Sequence, residues 1–270
     1  MLNSCKAPSP IVRTAEGLRA LTKAGIIVHR PASRDRRSSI QEIHMADKRL
    51  EGKRVLLTQA EDYMGSATIE LFTEHGAEII ADSSDLTQPG AVDELVASAG
   101  HIDILIANLA APANAGPMAE EISDDIFQNM FEVMVYPLHR LCRAILPQMH
   151  ERRAGKVVVY GSATGLKSQR KIAAYAAARS AQVGYVRTVG LEAAPNNVQV
   201  NLIAQNFVEN PVYYPPELKG TEMFERILRQ VPARRLATGR EDALFALFLA
   251  SDESDFFVGQ SIPFSGGWAQ

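Results

Sequence analysis

The chain has 270 residues, 46% of them hydrophobic and 22% charged, enough for one large α/β domain or two small ones and incompatible with disorder throughout. No run approaches the roughly 18–20 consecutive apolar residues of a membrane span, and a formal net charge of -3 gives no global argument for a nucleic-acid partner. Cys5 and Cys142 are too few for a disulfide framework or a cysteine-rich metal site, so a reducing cytoplasm is the expected location.

Residues 1–44 carry eight Lys/Arg against three acidic residues, a net of +5 that leaves -8 for the rest. Their Arg- and Ser-rich composition suits a targeting peptide, although the apolar core of a secretory signal is missing. The preferred reading is an upstream extension of the reading frame, poorly ordered and functionally idle, with Met45 as the working start and residues 45–270 as the catalytic domain.

From Lys53 onward, short β-branched runs alternate with helical patterns, as in a parallel sheet. Val55–Thr58 reads as a first strand, Gly65–Glu74 as a helix, Glu78–Ala81 as a second strand and Val92–Ala99 as a short helix. A strand follows at Ile102–Ala107, then a long helical region from Asp124 to Arg152 with a break expected at Tyr136-Pro137. Lys156–Tyr160 is a buried strand, Ile172–Ala194 a helix and Val198–Ile203 another strand. An irregular Pro- and Tyr-rich stretch from Gln205 to Pro216, two helical segments and a last strand at Ser261–Phe264 complete one doubly wound domain. Ligands in such sheets bind at the carboxyl ends of the strands, which directs attention to the residues after Thr58, Ala107, Tyr160 and Ile203.

Ser162 directly follows a strand, Tyr175 lies thirteen residues on, and Arg179 falls one helical turn after the tyrosine. A permanent guanidinium charge beside a phenol favours the phenolate, and Ser162 can donate to the same substrate oxygen, so the three form a candidate proton-abstraction site for a hydroxyl group.

This Ser-x12-Tyr-x3-basic pattern resembles the short-chain dehydrogenase/reductase superfamily over residues 50–270. Further matches are Gly100-His101-Ile102-Asp103-Ile104-Leu105 before Asn108, Leu146-Pro147-Gln148-Met149, Arg235-Leu236-Ala237-Thr238, Phe248-Leu249-Ala250-Ser251-Asp252, Gly259-Gln260 and Gly266-Gly267. The resemblance implies a Rossmann-like α/β domain with a mostly parallel sheet. The departures are informative. Where the dehydrogenases carry Thr-Gly-x3-Gly-x-Gly for the dinucleotide pyrophosphate, this chain has Gln59 and Tyr63 in place of the first two glycines, and only Gly65 remains. The segment after Asp82 is shortened on the adenosine side, Arg179 replaces the catalytic lysine, Gln205-Asn206 replaces a Pro-Gly, and Met134 stands for the asparagine of the proton relay.

Loss of the dinucleotide site with retention of the proton-abstraction site is similar to the halohydrin dehalogenases, whose signatures are Thr-x4-Phe/Tyr-x-Gly and Ser-x12-Tyr-x3-Arg. Both are present, as Thr58, Tyr63, Gly65 and as Ser162, Tyr175, Arg179. That resemblance implies cofactor-independent conversion of vicinal haloalcohols to epoxides, with release of halide and proton and reversal by azide, cyanide or nitrite. It implies Ser162, Tyr175 and Arg179 as catalytic residues and a halide and substrate site at Tyr63, Gln205, Asn206, Phe207, Val208 and Tyr214, with the amides of Phe207 and Val208 facing the ion. It also implies a homotetramer built on the long helices, with no bound cofactor, metal, nucleic acid or membrane partner. Tyr213 is expected to pack the loop, and Trp268 to sit at a subunit contact. Two alternatives stand beside this reading: an NAD(P)-dependent dehydrogenase with atypical motifs, and a catalytically silent scaffold.

Overall fold

Among the described residues six strands form: β1 (Arg54–Leu57), β2 (Glu78–Ala81), β3 (Ile104–Ala107), β4 (Gly155–Tyr160), β5 (Val198–Gln205) and β6 (Ser261–Phe264). They pair in parallel throughout, in the order β2-β1-β3-β4-β5-β6. The structure is a computed structural model that describes residues 48–112 and 116–270. The basic stretch 1–44 and the start at Met45 lie outside the described residues. Lys48–Gln270 is one structural unit.

Seven helices complete it: α1 (Gly65–Glu74), α2 (Ala91–Ala99), α3 (Asp124–Met134), α4 (Tyr136–Arg152), α5 (Ala173–Ala193), α6 (Glu222–Leu228) and α7 (Gly239–Ala250). Successive strand side chains point to opposite faces, and the central strands are covered on both, which is why they are mostly apolar. Leu56, Leu105, Val157, Val159, Val200 and Leu202 meet α2, α4 and α5 on one face. Val55, Leu57, Ile104, Ile106, Val158 and Ile203 meet α1 and α7 on the other. The doubly wound expectation is therefore met. The break expected near Tyr136-Pro137 falls at Val135, between α3 and α4, with Pro137 in the first turn of α4, where its missing N–H costs little.

Between β2 and α2, residues 82–90 form neither helix nor strand, as the shortened segment suggested. The chain then crosses β1 to reach β3, so the strand order reverses between β1 and β3. That is where an open parallel sheet presents its ligand crevice.

Candidate active site

The crevice between β1 and β3 is bridged by the protein's own side chains. Gln59 Oε1 accepts from the Ala110 amide at 2.9 Å, and Gln59 Nε2 donates to the Ala110 carbonyl at 3.2 Å. Asn108 Nδ2 donates to the carbonyls of Gln59 at 2.9 Å and Asp62 at 3.0 Å. Gln59 and Tyr63 hold the left-handed backbone that glycine adopts freely, with φ of 44° and 48°. The retained Gly65 is required by contact: a Cβ there would be driven into the Ala60 carbonyl. The turn after β1 thus carries large side chains at two positions with left-handed backbone.

The catalytic candidates come from the next strand and helix. Ser162 follows β4 and caps a short 3-10 turn, Ala163–Gly165. Thr164 approaches Ser162 Oγ twice, through its backbone N–H at 3.2 Å and its hydroxyl at 2.8 Å. With Thr164 as donor in both, Ser162 keeps its own proton for a ligand oxygen. Helix α5 sets Tyr175 and Arg179 on one face, and the guanidinium carbon lies 5.0 Å from the centre of the phenol ring. Arg179 is 2% exposed and forms no ion pair with a described carboxylate. Its Nη1 donates to the carbonyls of Leu109 at 2.9 Å and Tyr160 at 3.2 Å and to Gln182 Oε1 at 2.9 Å, and its Nε has no partner among the described residues. Gln182 in turn donates to the Met134 carbonyl at 2.8 Å, at the break between α3 and α4. Met134 itself is fully buried beside Tyr175.

The segment after β5 supplies the third wall. Phe207 adopts a φ of 58°, and its amide donates to Asn206 Oδ1 at 2.9 Å. That hydrogen bond corrects the expectation that the Phe207 and Val208 amides both face an ion. The neighbouring backbone is tied to Ala237, whose amide donates to the Phe207 carbonyl at 2.9 Å and whose carbonyl accepts from Glu209 at 2.8 Å. The Val208 amide is left without an acceptor among the described residues. Burial pushes the Tyr214 phenol up to about 12 and raises that of Tyr63, so both stay neutral hydroxyls at ordinary pH.

These walls enclose a cavity of about 330 Å³. Ser162, Tyr175, Arg179, Tyr63, Gln205, Asn206, Phe207, Val208 and Tyr214 all border it. Gln205 Oε1 is buried there without a partner among the described residues. Among the described residues no carboxylate lines the cavity, and the only charged ones that do are Arg170 and Arg179. Sequence reasoning missed Thr164, Asn210 and Tyr213. Tyr213, expected only to pack, borders the cavity, donates to the Ala111 carbonyl at 3.1 Å and meets the Tyr63 ring at 6.0 Å. Trp268 packs edge-on against Phe207 at 5.8 Å within the same chain. No cluster of His, Cys, Asp and Glu among the described residues could hold a metal, and no described helix is long and apolar enough to cross a membrane.

A family model described as enoyl-(acyl carrier protein) reductase matches residues 44–269. The chain belongs to the short-chain dehydrogenase/reductase superfamily. Within this superfamily it is 27% identical over 242 residues to a 3-oxoacyl-[acyl-carrier-protein] reductase of Salmonella typhimurium, covering 80% of this chain and 97% of that protein. A solved structure described as a dehalogenation enzyme is 30% identical, with a TM-score of 0.74 over 82% of this chain and all of that one. The L-sorbose reductase of Gluconobacter frateurii, solved with NADPH and L-sorbose, shares the fold at 22% identity and a TM-score of 0.77, over 83% of this chain and 99% of that one.

Proposed function

We propose that this superfamily member is a halohydrin dehalogenase, closing vicinal haloalcohols to epoxides without a nicotinamide. The observation that carries the reading is the meeting of Ser162, Tyr175 and Arg179 with Tyr63, Tyr214 and the open Val208 amide around one carboxylate-free cavity. Ser162 and Tyr175 bind the substrate hydroxyl, and Tyr175 takes its proton beside the Arg179 charge. The oxygen's electron pair forms the new C–O bond as the neighbouring C–halogen bond breaks, and the halide leaves with that bond's electrons. Nucleophile and leaving group sit in one molecule, so the cavity has only to hold an attack geometry and receive the anion. Neutral O–H donors from Tyr63 and Tyr214 and the Val208 N–H suit that anion, and small anions entering the same place would open epoxides in reverse.

The turn after β1 fits a dinucleotide poorly. Gln59 spans the crevice at the strand reversal, the Tyr63 ring stands at a former glycine, and exposed Glu61 and Asp62 would repel phosphates. The dehalogenation enzyme at 30% identity supports the same reading. Two observations favour a reductase instead: the descriptions of the curated relatives, and Asp82 after β2, where a carboxylate can meet a ribose and where Oδ2 is buried without a partner. We also propose assembly into a tetramer through the long helices, where Ile126 and Phe127 on α3 are 43% and 44% exposed.

Halide release from 1,3-dichloro-2-propanol without nicotinamide, with Tyr175→Phe alongside, tests the reading. Chloride and epichlorohydrin are expected together, falling at least 100-fold in the variant. Substantial residual activity in Tyr175→Phe sinks the assignment. No release, combined with tight NADPH binding, establishes the reductase reading; no release and no binding leaves a silent scaffold.

A further inference from the structure

The cavity has a charged residue that the chemistry above does not use. Arg170 lines it from the loop between the 3-10 turn and α5, five residues before Tyr175, and is exposed where Arg179 is buried. No described residue forms a hydrogen bond or ion pair with it. Its loop, Leu166-Lys167-Ser168-Gln169-Arg170-Lys171, carries three cations and no acid. Lys167 is engaged, donating to the Trp268 carbonyl and lying over that ring. Gln169 and Gln230, which line the cavity with Arg170, are neutral.

The reacting end and the outer end of the cavity therefore differ in kind. A haloalcohol head needs one oxygen site and one anion site, both supplied by buried or half-buried groups. The cavity as a whole is large for so small a head, since about 330 Å³ would hold on the order of ten waters. A guanidinium beside a cavity without carboxylates would repel a cationic substituent, gain little from an apolar one, and take a carboxylate in a two-pronged hydrogen-bonded pair.

We infer that the substrate is a haloalcohol, or its epoxide, bearing a carboxylate at the end remote from the reacting carbons, and that Arg170 selects it. This rests on the dehalogenase reading. Arg170 is solvent-exposed, so the pair is screened and the preference modest, about two- to fivefold.

The test compares 4-chloro-3-hydroxybutanoate with its primary amide, a neutral molecule of nearly the same shape, in wild type and Arg170→Gln. The quantity read is the ratio of kcat/KM for acid over amide, in which any general effect of the substitution cancels. Wild type is expected to favour the acid about two- to fivefold at low salt and less at high salt. The ratio should fall toward one in Arg170→Gln and be partly kept in Arg170→Lys. An acid no better than the amide in wild type, or a preference untouched by Arg170→Gln, overturns the inference. Halide release from neutral 1,3-dichloro-2-propanol separates the two levels. Release without a preference for the acid refutes the role of Arg170 alone, whereas no release from any haloalcohol removes the dehalogenase reading and this inference with it.

Discussion

Asp242 makes a quantitative prediction about how this fold responds to pH. It lies in α7, is 0% exposed, and neither carboxylate oxygen has a partner among the described residues. Burial alone pushes its carboxyl from 3.8 up to about 8. Between those values the native protein keeps a proton that the unfolded chain has released. Stability therefore falls as pH rises through this window, by at most about 1.4 kcal/mol per pH unit, and this contribution is level below and above it. From pH 5 to pH 7 the loss is about 3 kcal/mol. Asn has the same shape and no proton to lose, so Asp242→Asn should gain on wild type by that amount over the interval, whatever fixed offset its amide introduces. Urea unfolding followed by circular dichroism at pH 5, 6, 7 and 8 reads the difference directly, because the other titrating groups are common to both proteins. Parallel stability curves for the two proteins would refute the reasoning.

Two further substitutions address the site and the turn before it. Thr164→Val keeps the shape of the side chain but removes the hydroxyl that meets Ser162 Oγ at 2.8 Å, and should lower kcat about tenfold with little change in KM; unchanged kcat would show that Ser162 needs no such support. Gly65→Ala should destabilise the fold by more than about 3 kcal/mol or prevent folding, because the obstructing Ala60 carbonyl is backbone and cannot swing aside; a thermal midpoint within a few degrees of wild type would contradict this.

Much of this architecture is legible in the sequence because a parallel sheet covered on both faces leaves continuous apolar runs, and Val157-Val158-Val159-Tyr160 in β4 is such a run. Ser162, Tyr175 and Arg179 are legible for a different reason: a strand end and a helical turn fix their relative placement through local geometry alone. The loop after β5 has no period to read. Which of Tyr213 and Tyr214 meets the cavity depends on the turn at Asn210, whose Oδ1 accepts from Val212 at 2.7 Å, and the result is that both do. The engagement of the Phe207 amide depends on the orientation of the Asn206 side chain. Asp242 is concealed in another way. An acidic residue in the first turn of a helix is ordinary beside the positive end of the dipole, and only the packing of α7 on α1 and β4 buries this one.

Arg179 connects the burial of the site to its proposed chemistry. A guanidinium taken out of water is costly unless its hydrogen bonds and its charge are both met. Here the carbonyls of Leu109 and Tyr160 and the amide of Gln182 accept from Nη1, but no described carboxylate balances the charge. The cavity is therefore electropositive, and any negative charge formed inside it completes what folding leaves unmet. During the proposed reaction that charge moves from the substrate oxygen to the departing halide without leaving the cavity, so a fixed cation is useful at every stage. Tyr63 and Tyr214 strengthen the effect by remaining neutral, since burial raises both phenols away from ionisation. A single carboxylate on these walls would cancel the field. Its absence from the lining is then a requirement of the chemistry, and it is also why an exposed Arg170 at the outer end can discriminate between a charged substrate and its neutral amide.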